Sequence, residues 1–557
     1  MIPFGFWHPD AASINSPAVL KAENVYPAVL ETARGLSGAF KPALGPVATT
    51  VPVGLDPLLD DPGAQIYVSS GSQAVLDDIS GAIFSDDLTQ LLQSDTDLAD
   101  ANPVYVTDTA VTAQNGMCFG LVGVVQNTGS VVEIAGTATA LCRLSGNGWS
   151  DVSRISGGAY TLSAGERWRF AAFNPYILAT DYTDVVQKYD TSLATLRFTA
   201  LGGSPPRARY IGIVREQVVL AALFGQENAL QFSGRNNSEI WTTGGVNGAD
   251  IQSFPDGGPI TGFVGGAVGH VFQATKVRRM TATADPTLIF QFDEVQGGKG
   301  CVAPNSIVQV GDLVYYFASD GFQVLSVTSG QVKPLGVNKW RQWFLEDYRP
   351  GTEGSILGAA DPLDPVVYWA YKSKSSSTAI PDRLFVYDWS IDEATYLTVN
   401  VEAMTSWLTA SLTLETLTPY GNMETLPFSL DSPFWKGGVP LLTIVDGTHA
   451  AASLAGSTLA AEIITADGQR QGRSMVMATR PAVDTALITG AIAMRERDGD
   501  AIAGQVVFPV QEVMEDTGQI SAFTSGNIGR ARYRIPAGAT WTSFKGVETD
   551  LGNAGNR

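Results

Sequence analysis

Residues 307–325 read Ile-Val-Gln-Val-Gly-Asp-Leu-Val-Tyr-Tyr-Phe-Ala-Ser-Asp-Gly-Phe-Gln-Val-Leu. Three apolar, β-branched or aromatic runs are separated by two tight-turn signals, Gly311-Asp312 and Ser319-Asp320-Gly321. Gly tolerates positive φ and Asp hydrogen-bonds its own backbone, so both breaks read as hairpin turns. The stretch is a three-strand antiparallel meander, and Gly330-Gln331-Val332-Lys333-Pro334 supplies the start of a fourth strand. A four-stranded meander is one blade of a β-propeller, provided that the chain repeats it.

It does so in both directions. Upstream lie Met117 to Val125, Val131 to Gly136, Ala140 to Leu144 and Gly146 to Val152. The next unit holds Trp168 to Phe173, Tyr176 to Thr180, Val185 to Tyr189 and Thr195 to Phe198. Others open at Arg209-Tyr210-Ile211-Gly212-Ile213-Val214 and at Ile260, and Ser355 to Tyr396 follows the central meander. The units recur at roughly 40–50 residues, the propeller range, and predict about six to eight four-stranded blades between Met117 and Trp435. Continuous apolar runs such as Leu313 to Phe317 fit strands covered on both faces. A set of β-sandwiches has the same strand lengths, but the repeated meander and the scarcity of long crossovers favour the propeller.

The flanks differ. Residues 1–60 carry Pro42, Pro46, Pro52 and Pro57 with little periodicity, and read as an extended N-terminal arm held by a neighbouring domain or subunit. The propeller is placed at 61–435. Leu88, Leu91, Leu92 and Leu98 among Asp and Gln predict a short helical insertion near 86–102. From 436 to 557, runs such as Leu441 to Val445, Ala460 to Thr465, Gly490 to Met494 and Arg532 to Ile535 predict an additional C-terminal all-β domain of sandwich type.

Composition bounds the function. The 557 residues include 35 basic and 55 acidic side chains, a formal charge of −20, which argues against tight nucleic-acid binding. Cys118, Cys142 and Cys301 form no CxxC pair and read as small apolar fillers in a reducing cytoplasm. Met1 to Asp10 lacks the basic and apolar regions of a signal peptide, and no apolar run is long enough for a membrane anchor.

Chemistry-bearing patterns are weak. His8, His270 and His449 lie far apart, so no triad or His-ligated metal is expected. Asp95 to Asp100 lacks the central Gly and closing Glu of a calcium loop, and Gly297-Gly298-Lys299-Gly300 lacks the full phosphate-loop frame. A glycosidase propeller would need two facing carboxylates, for which Asp293, Glu294, Asp312 and Asp320 are available. Trp340, Trp343, Tyr368, Trp369 and Tyr371 could line a sugar groove, but aromatic residues of this kind more often pack between blades. The expectation is no enzyme, with no catalytic residue, cofactor or metal.

Several runs together resemble a known family. They are Leu144 to Ser153, Arg167-Trp168-Arg169-Phe170, Tyr189-Asp190, Ser204 to Tyr210, Asn24-Val25-Tyr26-Pro27, and Ile528 to Trp541 with Gly546-Val547. In that order they are similar to the tail nozzle, or tail hub, proteins of short-tailed (podovirus-like) bacteriophages. The resemblance implies a structural virion protein of the tail, assembled in the host cytoplasm as a homohexameric ring around the DNA exit channel. It also implies contacts to portal–adaptor (head-to-tail connector) proteins and to tail fibre, spike or needle proteins. Double-stranded DNA would pass through the lumen without sequence-specific binding, since an acidic wall repels phosphate. Asp86 to Asn102 or Gly244 to Gly258, which interrupt the blade rhythm, are expected to form a gate or partner contact. A receptor-binding or carbohydrate-binding propeller at the tail periphery is the alternative, and a secreted or surface hydrolase is a weaker one.

Overall fold

The protein was analysed as a computed structural model. It describes residues 2–11, 16, 18–32, 35–55, 65–67, 73–76, 82–84, 91–94, 105–125, 131–145, 148–192, 197–244, 247–283, 288–408, 440–496, 508–509, 512–514 and 516–553.

The opening meander folds as read. Strands Val308–Val310, Leu313–Ala318, Gly321–Ser326 and Val332–Pro334 pair in order, with Val310 opposite Leu313 and Ala318 opposite Gly321. Positive φ at Gly311 and Gly321 makes both turns. The same antiparallel unit occurs with inner strands Gly120–Val125, Arg169–Phe173, Ala208–Val214 and Ile260–Val264. A sixth free-standing sheet joins Ala403–Leu408, Pro440–Val445 and Ala451–Ser453 to Val47–Ala48 from the N-terminal region. A further meander, Leu357–Ala360, Val366–Tyr371, Arg383–Asp388 and Glu393–Leu397, completes the ring, while its outer strand continues into a larger sheet. The inner strands follow one another around the axis, and Ala403–Leu408 lies between Leu357–Ala360 and Gly120–Val125. The fold is an all-β propeller. Six of its blades are separate sheets and a seventh is shared, among the described residues.

The middle strands are buried as the apolar runs predict. Every residue of Gln217–Leu223 and Val366–Tyr371 is buried. Blades crowd toward the axis, and glycine makes room there. A Cβ on Gly265 would collide with the Ile213 carbonyl oxygen of the preceding blade, and one on Gly358 would stand 2.8 Å from the Ser306 carbonyl oxygen.

The flanking segments are where expectation and structure part. Among the described residues the N-terminal region is held by neighbouring sheets as expected, but as paired strands and not as an irregular arm. Ile2–Pro3 pairs with Phe544–Asn553, and Val19–Glu23 lies between Ala461–Thr465 and Glu393–Leu397. Val25–Thr32 and Gly35–Pro42 form a hairpin, and Val47–Ala48 closes the last blade. Pairing with strands distant in sequence overrides the low local periodicity. For the same reason the propeller reaches past 435, because Pro440–Val445 and Ala451–Ser453 belong to its closing blade.

The C-terminal domain is built on long strands Gly468–Val483, Ile520–Ile535 and Phe544–Asn553, in one sheet with the N-terminal strands. Within the expected helix 86–102, the described part, Leu91–Ser94, is instead a strand paired with Ala82–Phe84. It belongs to a four-stranded sheet at 65–94, carried on the two-stranded pair Thr50–Leu55 and Tyr105–Ala110. Four leucines at helical spacing are a weak prior that strand pairing here overrides. Gly244 to Gly258 is no insertion either, since it contains Asp250–Ser253, the outer strand of its blade.

One core joins propeller and C-terminal domain. Trp7, Phe40, Trp340, Phe344, Trp369, Tyr371, Phe385, Tyr533 and Phe544 are buried in a single cluster. Phe385 lies 4.8 Å from Trp340 and 5.3 Å from Phe344, ring centre to ring centre. The short helix α1, Arg341–Asp347, presents Phe344 to this cluster, and Asp10 caps it by accepting from the Gln342 and Trp343 amides at 2.6 and 2.8 Å. Trp369→Ala is expected to destabilise the chain by ~3–5 kcal/mol in urea unfolding, whereas Trp389→Ala, at the half-exposed Trp389, is expected to cost less than ~1 kcal/mol.

Candidate functional site

The residues that sequence reading offered for chemistry do not converge. His8 contacts Glu393 at 2.7 Å, and His449 contacts Glu402 at 2.9 Å from the closing blade. His270 sits on the wholly buried strand Gly269–Gln273, and neither ring nitrogen has a hydrogen-bond partner. Burial, and then the Arg279 guanidinium, push its pKa down to about 4. Cys118, Cys142 and Cys301 are free and buried, and burial raises each thiol to about 11, 11 and 12 respectively.

The carboxylates serve turns and surfaces. Asp312 accepts from Ser326 and Thr328 at one end of its blade, and Asp320 accepts from Lys299 and Gln323 at the other. Asp293 contacts Gln291, and Glu294 pairs with Lys276 at 2.8 Å. Lys299 therefore belongs to an ion pair at a turn between blades. Trp340, Trp369, Tyr371 and Tyr368 are buried, and Trp343 stacks on Tyr396 at 4.8 Å, so these rings pack the interior. Asp95 to Asp100 lies outside the described residues.

What the fold does bring together is the propeller axis. Inner strands use one edge for pairing within the blade and turn the other toward the axis. Two adjoining chambers of about 300 and 360 Å³ lie there. The first is walled by Gly120, Arg167, Arg169, Gly358 and Thr405, the second by Arg169, Tyr210, Gly262, Gln309 and Gly358, with Asn305 in both walls. Arg169 donates to the Asn305 side-chain oxygen, and Asn305 in turn donates to the Gly354 carbonyl, so this pair stands between the chambers. The Arg169 guanidinium also lies 5.6 Å from the Tyr210 ring centre.

Arg167 donates to the Glu402 carbonyl at 2.9 Å. Burial lowers its pKa to about 10, with the Arg169 charge acting in the same direction. Burial lowers that of Arg169 as well. Arg167 and Arg169 are two residues apart, so both side chains leave the same face of the chain while Trp168 between them is buried on the other. That Arg-Trp-Arg-Phe alternation in a cation-poor sequence was the available signal for a polar axis.

A second cavity, about 310 Å³, lies in the C-terminal domain among Phe4, Val476, Ile492, Tyr533, Asp467 and Arg530. Asp467 accepts paired hydrogen bonds from both Arg495 and Arg530 at 2.7–2.9 Å. Burial pushes its carboxyl up, but the two guanidinium groups outweigh this and hold it at about 2.

Comparison with known proteins gives only distant structural likenesses. No family model and no curated protein matches the chain. Among solved structures, it is similar to the computationally designed Ika8 protein, at 10% identity and a TM-score of 0.34, covering 74% of this chain and 99% of that one. It is also similar to the Cps50 (Swd1) β-propeller domain of Myceliophteria thermophila, at 10% identity and a TM-score of 0.35, covering 61% and 96%.

The buried histidine gives a pH prediction. Its folded pKa lies below the unfolded value, so the unfolded chain binds more protons in that window, and stability is lost as pH falls from about 6.5 toward 4. Buried Glu133, raised to about 7 by desolvation, acts with the opposite sign, its contribution falling as pH rises from about 4.5 to 7. His270→Gln is expected to remove about 2 kcal/mol of the stability loss between pH 6.5 and 5 in urea titrations. An acid limb as steep as that of the unsubstituted protein would contradict the assignment.

Proposed function

We propose that the chain is a structural subunit of a short phage tail, one copy of a nozzle ring below the portal and adaptor. The observation that carries the reading furthest is the occluded axis. Chambers of about 300 and 360 Å³, divided by Arg169 and Asn305, are too small for a duplex whose major groove alone is ~12 Å wide. A propeller closed on itself in this way would form a wall. A conduit for DNA would then lie between copies, around the axis of a homohexameric ring. The charge of −20 suits such a conduit, because an acidic wall lets phosphate slide without sticking.

The insertion fits a role toward the lumen or toward a partner. It leaves the propeller on the paired strands Thr50–Leu55 and Tyr105–Ala110, where Thr50 faces Ala110. Blade closure and blade one resume immediately on either side. Asp86 to Asn102, the stretch proposed as gate or partner contact, lies in this insertion. Apolar Phe523 and Leu551 stand exposed near the outer end of the long C-terminal strands and offer surface for contacts between copies or with tail fibres, spikes or a needle. The alternative, a peripheral receptor-binding or carbohydrate-binding propeller, is less well supported because the aromatic rings that would stack on sugars are buried in the core.

Two measurements test the reading. Native mass spectrometry of the full chain with a portal–adaptor assembly is expected to show six copies bound. A stable trimer that ignores the portal and binds host polysaccharide would replace the nozzle reading with the alternative. Replacing residues 51–109 by a short Gly-Ser link is expected to leave far-UV circular dichroism of a β protein and a cooperative unfolding transition, because the stalk strands meet at Thr50 and Ala110. Particles carrying that variant are expected to leak DNA or fail to attach a tail partner, and full infectivity would remove the insertion from the mechanism.

A further inference from the structure

The axial chambers hold two guanidinium groups with no carboxylate in direct ion-pair contact among the described residues. Neither Arg167 nor Arg169 has a carboxylate oxygen within salt-bridge distance among the described residues, although the chain has 20 more acidic than basic side chains. The nearby acids are engaged elsewhere. Glu166 pairs with Arg209 at 2.9 Å, and the Glu402 carboxylate accepts from His449 and from the Cys118 amide at 2.9 and 3.2 Å. Both guanidinium groups line the first chamber, and the Arg169 charge acts on Arg167. Two like charges held near one another in a partly buried chamber are costly unless something pairs with them.

We propose that the first axial chamber is a binding site for a small oxyanion, a phosphate or a carboxylate, held by Arg167 and Arg169. The site is independent of the nozzle reading, since it lies inside one chain. Both donors come from the inner strand Arg169–Phe173 and the residues just before it. Guanidinium groups match the planar, multidentate geometry of oxyanions, which chloride lacks. Each chamber has the volume of a small-ligand pocket. Asn305, standing where an acid would neutralise Arg169, accepts one guanidinium hydrogen bond without supplying charge and leaves the rest free for a ligand.

The test is isothermal titration and thermal unfolding of the full chain with inorganic phosphate and, separately, with succinate, at constant ionic strength set by sodium chloride. Saturable binding of phosphate or of succinate is expected, with a matching rise in Tm, and the tighter of the two identifies the source. Arg169→Gln and Arg167→Gln are each expected to weaken binding at least ~10-fold. Asn305→Asp covers the case in which the arginine variant does not fold. It supplies an internal carboxylate to Arg169, and is expected to raise Tm in chloride alone and to abolish the response to both anions. Absence of saturable binding by either anion would overturn the proposal. So would an Asn305→Asp variant, or a folded Arg169→Gln variant, that binds like the unsubstituted chain.

Discussion

The structure depends on a seam sewn by the first fifty residues. Asn24, held at φ 57°, is its tightest stitch. Its amide donates to the Tyr396 carbonyl at 2.8 Å, its side-chain oxygen accepts from Thr398 at 2.7 Å, and its side-chain nitrogen donates to Ala460 at 2.8 Å. One residue thus ties the shared blade to the C-terminal sheet. Strand Val19–Glu23 fills the gap between them, and some twenty residues on Val47–Ala48 completes the closing blade. An open propeller would leave two unsatisfied blade faces and an unpaired edge strand, each an invitation to aggregate. Closing the ring with a strand from the opposite end of the chain couples its stability to the N-terminal segment. The large aromatic core, in which Trp7 meets Trp343 at 4.6 Å, extends that coupling into the C-terminal domain.

This explains what could be read from the sequence. The blade rhythm was legible because each meander is local. Turn residues such as Gly311-Asp312 and the apolar runs beside them sit within a few residues of their partners. Strand Val19–Glu23 was illegible because its partners lie some 370–450 positions away, as Glu23 with Tyr396 and Val19 with Thr465 show. No periodicity within residues 1–60 could announce that pairing. The expected helix near 86–102 failed for the related reason that hairpin partners outweigh a few leucines at helical spacing. The C-terminal strands were found, but not that Leu441 to Val445 belongs to the propeller.

The axial site was half legible. Arg167-Trp168-Arg169-Phe170 was noticed as a run, and alternation places both arginines on one side of the chain. That the side faces the axis, and that Asn305 meets Arg169 there across 136 positions, requires the ring to exist. By contrast, the histidines and carboxylates considered for chemistry are scattered along the chain. The structure places those residues in separate turns, surfaces and cores.

One chain closes its own ring, so in the proposed nozzle any DNA path runs between chains. A cryo-electron microscopy map of the protein on a genome-filled portal–adaptor particle tests this most directly. It should show six propellers around a central column of DNA, with the axis of each propeller free of DNA. Duplex density threading a propeller axis, or a single propeller seated on the portal axis, would contradict the account.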